Sequence, residues 1–159
     1  MSKEILNFKK HKKLHLINIA EFFEHLAGGM MTPVYYLFTE RIGGDAFDSG
    51  NTYGLYLMIH AIAIGIFSRN NYILKNRKKI IFISYFLQLS SSILYLFVSN
   101  ILMLGFLQIF LAIQSSLYAT VFHSYYGNIA TNSEIEDSKV WSLWNISTYL
   151  GVGLASILG

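Results

Sequence analysis

The chain has 159 residues, of which 53% are hydrophobic and 13% are charged, about half the charged share of a typical soluble domain. It contains no cysteine, which excludes disulfides and thiolate metal sites. The formal charge is +3, but the basic residues cluster at the ends of long apolar segments, without interleaved aromatics at a soluble face. This pattern predicts an integral membrane protein and no nucleic-acid partner.

Five apolar segments are predicted to cross the membrane, because a bilayer core of about 30 Å needs roughly 20 apolar residues per helix. In chain order they are residues 14–38, 53–67 with a start a few residues earlier, 80–98, 101–125 and 140–159. The predicted fold class is all-α, a polytopic membrane helix bundle with about five transmembrane helices. The predicted domains are a basic cytoplasmic tail over 1–13 and a transmembrane helical domain over 14–159.

The distribution of lysine and arginine predicts the orientation in the membrane. One basic cluster precedes the first segment and a second lies between the second and third segments; the members are Lys3, Lys9, Lys10, Lys12 and Lys13, then Arg69, Lys75, Arg77, Lys78 and Lys79. Both clusters are expected to be cytoplasmic, and Lys9 to Lys13 are expected to contact anionic lipid headgroups. The predicted location is the plasma membrane, multi-pass, with a cytoplasmic N-terminus.

The first segment carries a polar stripe. At 100° per residue, one side holds Glu21, Glu24, His25, Gly28, Thr32, Tyr35 and Tyr36, and the other holds Phe23, Leu26, Met30, Val34 and Leu37. An ionisable group in the middle of a bilayer costs about 2.5–3.5 kcal/mol on insertion scales, so such groups face a cavity or a partner. The alternative is that the glutamates pair with Lys12, Lys13 or His25 near the interface and only orient the helix. Pro33 is expected to kink the outer half of this segment.

Polar residues in the second and fourth segments have two interpretations each. His60 either has a functional role, since histidine as a residue type is suited to proton exchange, or is a core histidine bonded to a neighbouring helix. Gln108 and Ser115 share one face of the fourth segment and either bind a solute or join helices. Ser90 to Ser92 are expected to bond to carbonyls of their own helix.

The last segment combines small residues with two tryptophans. Gly151, Ala155 and Gly159 are four residues apart, a spacing that predicts close packing against another helix. Trp141 and Trp144 are expected to anchor the segment at the membrane interface.

Several short motifs resemble the N-terminal half of a major facilitator superfamily transporter. They are Gly28-Gly29-Met30, Pro33, Glu40-Arg41-Ile-Gly-Gly44, the run Gln108-Ile-Phe-Leu-Ala-Ile-Gln-Ser-Ser116, Trp141-Ser-Leu-Trp144 and Gly151-Val-Gly153. The family's basic loop between helices 2 and 3 is similar to residues 65–79, although the family's aspartate is absent there. Glu21-Phe-Phe-Glu24-His25 is similar to the Glu-x-x-Glu-Arg motif of proton-coupled oligopeptide carriers, with histidine in place of arginine.

This resemblance implies a secondary active transporter of small solutes that works by alternating access between two six-helix halves. Its implied substrate or coupling-ion residues here are Glu21, Glu24, His25, Tyr36, His60, Gln108 and Ser115. Its implied cytoplasmic gating residues are Arg69, Arg77, Lys78 and Lys79. A family member has more helices than these five, so the chain is expected to be an N-terminal fragment or half that is truncated after the fifth helix.

The expected partners are a small-molecule substrate, membrane lipids, and a C-terminal half or second chain. No enzyme activity, metal or cofactor is expected beyond proton or cation coupling. The alternative function is a small membrane scaffold, interaction subunit or relic that does not transport.

Overall fold

The computed structural model describes residues 11–133 and 135–158, so Lys3, Lys9 and Lys10 of the predicted basic tail lie outside the described residues. Within these residues the all-α class is confirmed: there are seven helices and no strand. The helices are α1 (Lys12–Gly29), α2 (Met31–Arg41), α3 (Ala46–Phe67), α4 (Asn71–Lys75), α5 (Arg77–Tyr95), α6 (Ile101–Thr131) and α7 (Asp137–Leu158).

The chain divides into two compact units. Unit 1 comprises Met1–Tyr35 and Gly127–Gly159, and unit 2 comprises Tyr36–Tyr126. In the described part of each unit, a cluster of polar residues joins two helices, and these two clusters are described separately below.

The first apolar segment is interrupted. Residues 14–38 were expected to form one helix with a kink, whereas α1 ends at Gly29 and α2 begins at Met31. Pro33 has no backbone N–H to donate, and the interruption puts it in the first turn of α2, where backbone N–H groups have no intrahelical acceptor. The break at Met30 therefore removes the hydrogen-bonding conflict that Pro33 would create inside a continuous helix.

The second segment starts earlier than its apolar residues, as expected, because a polar cap initiates α3. The Asp48 backbone N–H donates to the Asp45 carboxylate at 2.9 Å, and the Asp45 N–H donates to the Asp48 carboxylate at 3.2 Å. Such a reciprocal cap satisfies two donors at a helix start. Gly43, with φ of +89°, forms the turn that leads into it.

In unit 2, α5 and α6 form an antiparallel pair. Arg77 reaches the Ser124 carbonyl at 3.3 Å near one end, and Gln108 donates to the Tyr95 hydroxyl at 3.2 Å near the other. The core between them contains Ile73, Ile80 and Val121. Helix α3 runs parallel to α6. Tyr56 lies beside Ser115, and Phe67, which comes later in α3, packs against the cluster that contains Val121, which comes later in α6.

The loop before α7 contains a local charge pair. Glu136 accepts a hydrogen bond from the Ser138 hydroxyl at 2.7 Å and pairs with Lys139 at 2.9 Å. These two contacts, the Ser138 bond first, hold the pKa of the Glu136 carboxyl below its ordinary value.

Two of the described helices, α3 and α6, are long and apolar enough to cross a membrane. The five-span bundle is therefore not confirmed. Helix α2, with 11 residues, is about 16 Å long at 1.5 Å per residue. Charged residues shorten the apolar stretch of two further helices. Helix α1 contains Lys12, Lys13, Glu21 and Glu24, and the first turn of α5 contains Arg77, Lys78 and Lys79.

Candidate functional site

The site in unit 1 is built on a close parallel contact between α1 and α7. A Cβ atom on Gly151 would lie 2.6 Å from the Phe22 carbonyl oxygen, and one on Gly29 would lie 2.7 Å from the Ala155 Cβ. Both Gly151 and Ala155 are buried. The predicted packing role of the small residues is confirmed for these two, and Gly159 lies outside the described residues.

Glu21 is the central residue of this contact. It is 1% exposed, and its carboxylate accepts a hydrogen bond from Trp144 Nε1 at 2.9 Å. A buried carboxylate must be hydrogen-bonded, because removing a charge from water without compensation is costly. The donor in this contact between α1 and α7 is the neutral indole N–H of Trp144 and not a cation.

Glu24 and His25 continue the site on α1. His25 Nδ1 lies 2.8 Å from the Glu21 backbone carbonyl and 3.1 Å from a Glu24 carboxylate oxygen. The Glu21 carboxylate is further away, at 4.0 Å. His25 was considered as a partner of the Glu21 side chain, but its Nδ1 contacts the backbone carbonyl of Glu21. The carboxylate nearest to His25 Nδ1 is that of Glu24. Glu24 and His25 are both half-buried, whereas Glu21 is fully buried.

Trp144 was missed as a site residue. Its role as an interface anchor stays a prediction, and its indole N–H is in addition bonded to the buried carboxylate of Glu21. The sequence did contain a signal: Trp144 lies seven residues before Gly151 and eleven before Ala155, so all three share one face of α7. A tryptophan on a small-residue face indicates a helix contact rather than a lipid contact.

The cluster in unit 2 joins α3 to α6. Ser115 Oγ lies 2.8 Å from His60 Nδ1, accepts from the Tyr56 hydroxyl at 3.1 Å and donates to the Ala112 carbonyl at 3.2 Å. Tyr53, Tyr56 and His60 are stacked along α3, with ring centroids 5.9 and 5.6 Å apart. With His60 donating, the one proton and both lone pairs of the Ser115 hydroxyl are in use. These contacts favour the helix-joining interpretation of His60 and Ser115 over direct solute binding.

This contact predicts a measurable coupling. Ser115→Ala and His60→Phe are each expected to destabilise the protein, with a coupling of about 0.6 kcal/mol, and at most about 1.7, in a double-mutant cycle. Equilibrium unfolding in detergent micelles measures it. Ser90→Ala is the control, because the half-buried Ser90 donates to the Phe86 carbonyl of its own helix. Strict additivity of the two variants would contradict the interaction.

The remaining predicted site residues are dispersed. Gln108 is 3% exposed and bonded to Tyr95, which favours its helix-joining interpretation, and Tyr36 is exposed on α2. Arg77 donates inward to the Leu74 and Ser124 carbonyls, whereas Arg69, Lys78 and Lys79 are exposed. Ser90, Ser91 and Ser92 bond to their own helix carbonyls, as predicted. Within the described ranges, no group of three or more His, Asp or Glu side chains is placed to hold a metal ion.

The described residues define an all-helical protein with two possible membrane-spanning helices. No family model matches the chain, and neither a curated protein nor a solved structure matches it. The major facilitator resemblance therefore rests on the motifs alone.

Proposed function

We propose that this chain is a multi-pass membrane protein of the plasma membrane and forms the N-terminal half, or a fragment of it, of a secondary active transporter of the major facilitator type. Its N-terminus is cytoplasmic, and five apolar segments cross the bilayer, the first of them through α1 and α2 together. Support for insertion beyond α3 and α6 comes from large apolar side chains that are exposed on the other long helices: Phe82, Phe86 and Leu89 on α5, and Leu150, Leu154 and Ile157 on α7. Soluble monomers rarely expose apolar patches of this extent.

The directions of the helix pairs fit the proposed topology. In five alternating spans, the first and fifth run the same way, as do the second and fourth, while the third and fourth run in opposite directions. The contacts described above make α1 parallel to α7, α3 parallel to α6, and α5 antiparallel to α6.

One observation carries the transport proposal: the acid Glu21 is buried between two apolar helices, with Glu24 and His25 one turn further along α1. Ionisable residues inside membrane segments usually face a cavity or a partner and mark ion or proton paths. A carboxylate pair next to a histidine is thus suited to take up and release a proton or to bind a cation. In this proposal Glu24 and His25 form the accessible part of the coupling site, and Glu21 forms its buried part.

Alternating access requires a second set of helices that faces the first across the solute path. The proposal therefore includes a partner half, in the same polypeptide or in another chain. Tyr36, which is exposed on α2, is available for contact with solute.

Single-cysteine labelling tests the water-filled path, and the natural chain, which has no cysteine, gives no background. Gly28→Cys lies on the polar stripe, where a Cβ meets no atom within 4 Å. Phe23→Cys lies on the apolar flank and replaces a side chain that is 60% exposed. In membranes, a charged impermeant thiol reagent is expected to label Gly28→Cys at least about tenfold faster, because a lipid-facing thiol is not accessible to it. Equal rates at the two positions would contradict the polar path.

The coupling role is tested in the assembled carrier with its partner half. Glu21→Gln or Glu24→Gln is expected to abolish pH-driven uptake while the protein still inserts. Wild-type uptake in both variants would remove these residues from the mechanism.

A second candidate function, a membrane scaffold or interaction subunit without transport, is favoured by the tight α1–α7 contact around Gly151. In that case the polar stripe holds helices together and has no aqueous access. Protection of Gly28→Cys from labelling, together with normal insertion, would favour the scaffold.

A further inference from the structure

The connection between α3 and α5 is a folded element that presents cations outward. The Asn70 side chain accepts from the Tyr72 and Ile73 backbone N–H groups at the start of α4, and Asn76 donates to the Tyr72 carbonyl at 2.9 Å at its end. Ile73 is buried in the core beside Ile80 and Val121. These contacts hold the connection against α5 and α6, so its outward side chains have a defined position.

Four of its five basic residues form what we term the basic patch: Arg69, Lys75, Lys78 and Lys79. All four are exposed. Arg77 is excluded because its guanidinium is bonded inward to the carbonyls of Leu74 and Ser124. The predicted gating loop therefore contains one arginine that is hydrogen-bonded to neighbouring backbone carbonyls and four basic residues that are exposed.

No acid of unit 2 lies near the basic patch. Between Asp48 and Glu134 the sequence contains no Asp or Glu. The acids of unit 2, Glu40, Asp45 and Asp48, lie at the opposite end of α3, whose 22 residues extend about 33 Å. Charges that far apart are screened at physiological salt, where the Debye length is about 8 Å.

Within unit 2, the local electrostatics disfavour these cations. Lys78 and Lys79 lie in the first turn of α5, where the helix macrodipole disfavours positive charge, and they repel each other and Lys75. An external anion relieves both effects. Tyr72, which is 58% exposed, adjoins the patch in sequence and is of a residue type enriched at the headgroup level of membranes.

We propose that the basic patch is a binding site for the phosphate groups of anionic phospholipids in the leaflet that borders it. The apolar helices that leave the patch on both sides, α3 and α5, put it at the level of lipid headgroups if they are inserted. The site requires insertion but does not require transport. It differs from a gating contact because its ligand is lipid rather than another helix.

The test compares lipid binding of the full chain in neutral detergent micelles, measured by native mass spectrometry with phosphatidylglycerol and phosphatidylcholine of the same acyl chains. Lys78→Gln/Lys79→Gln is expected to weaken phosphatidylglycerol binding about 30-fold, since each basic residue near an anionic surface contributes about fivefold. Binding of phosphatidylcholine is expected to be unchanged. The control is Arg41→Gln, which removes a charge of unit 2 four residues before Asp45, at the opposite end of α3 from the patch. Its effect is expected to be less than twofold, against about fivefold for Lys78→Gln alone.

Three results would overturn the proposal. The first is unchanged phosphatidylglycerol binding in Lys78→Gln/Lys79→Gln with wild-type helicity by circular dichroism. The second is an equal loss in Arg41→Gln and Lys78→Gln, which would assign the preference to net charge. The third is displacement of the lipid by millimolar glycerol phosphate, which would make the patch a site for soluble phosphate.

Discussion

Gly151→Ala is expected to destabilise the protein by about 1–3 kcal/mol, the usual cost of overpacking a close contact. The new Cβ would lie 2.6 Å from the Phe22 carbonyl oxygen, 3.1 Å from the Leu26 backbone nitrogen and 3.2 Å from the His25 Cβ. Two of these atoms belong to the α1 backbone, which cannot rotate away as a side chain does. The two helices must separate, and the hydrogen bond between Trp144 and Glu21 is then expected to weaken.

Gly153→Ala is the matched control, because it lies on the same helix and its Cβ would meet nothing within 4 Å. In a helix interior, replacement of glycine by alanine stabilises by roughly 0.5–1 kcal/mol when no clash occurs. The two variants are thus expected to shift stability in opposite directions. Equilibrium unfolding in micelles measures both, and fluorescence is a specific probe, because the chain has two tryptophans and both lie in α7. Similar shifts in the two variants would refute the close contact.

Trp144→Phe is expected to destabilise the protein by about 1.5–3 kcal/mol, the range for a hydrogen bond to a charged group. The variant keeps an aromatic ring in place but removes one hydrogen-bond donor to a carboxylate that is 1% exposed. Glu21→Gln is expected to cost less, because the amide oxygen still accepts from the indole N–H. Glu21→Met leaves the Trp144 N–H without this acceptor and is expected to cost more than Glu21→Gln.

The double variant Glu21→Met/Trp144→Phe separates this bond from simple packing. Removal of both partners by apolar groups of similar shape is nearly neutral, whereas removal of one leaves a buried polar group unsatisfied. The double variant is therefore expected to be more stable than Trp144→Phe alone. Unfolding free energies of the four proteins give the coupling, and Glu136→Gln, at an exposed carboxylate, is expected to change stability by less than about 0.5 kcal/mol. Additive losses in the double variant would show that the bond contributes nothing.

Membrane-like character was predictable because it depends on composition and on the length of apolar runs. The α5 and α7 segments were located within three residues at each end. Helix α3 begins seven residues before its predicted apolar run, and the cap formed by Asp45 and Asp48 accounts for this early start. Helix α6 extends six residues beyond the predicted end at 125. Two details were not predicted. The break at Met30 depends on how the backbone accommodates Pro33, and α4 exists because Asn70 caps a short turn whose Ile73 packs into the core.

The polar residues were harder to interpret, since a polar face has the same pattern whether it meets water, solute or another helix. For Gln108, His60 and Ser115, the contacts with Tyr95 and Tyr56 favour the helix-joining interpretation. Arg77 was grouped with Lys78 and Lys79 as a gating cation, yet its guanidinium is directed to carbonyls on its own unit. Three adjacent basic residues in a sequence do not indicate which side chain is directed toward the rest of the protein.

The sequence by itself determined the helical class, the apolar segments, the separation of acidic and basic clusters and the small-residue face of α7, because each is a local property of spacing and composition. Only the tertiary structure decided which residues share a contact. The pairing of Glu21 with Trp144 joins residues that are 123 positions apart, and no local pattern specifies a partner at that distance. It arises because Gly29, Gly151 and Ala155 allow two helices to approach closely enough for an indole N–H to reach a buried carboxylate.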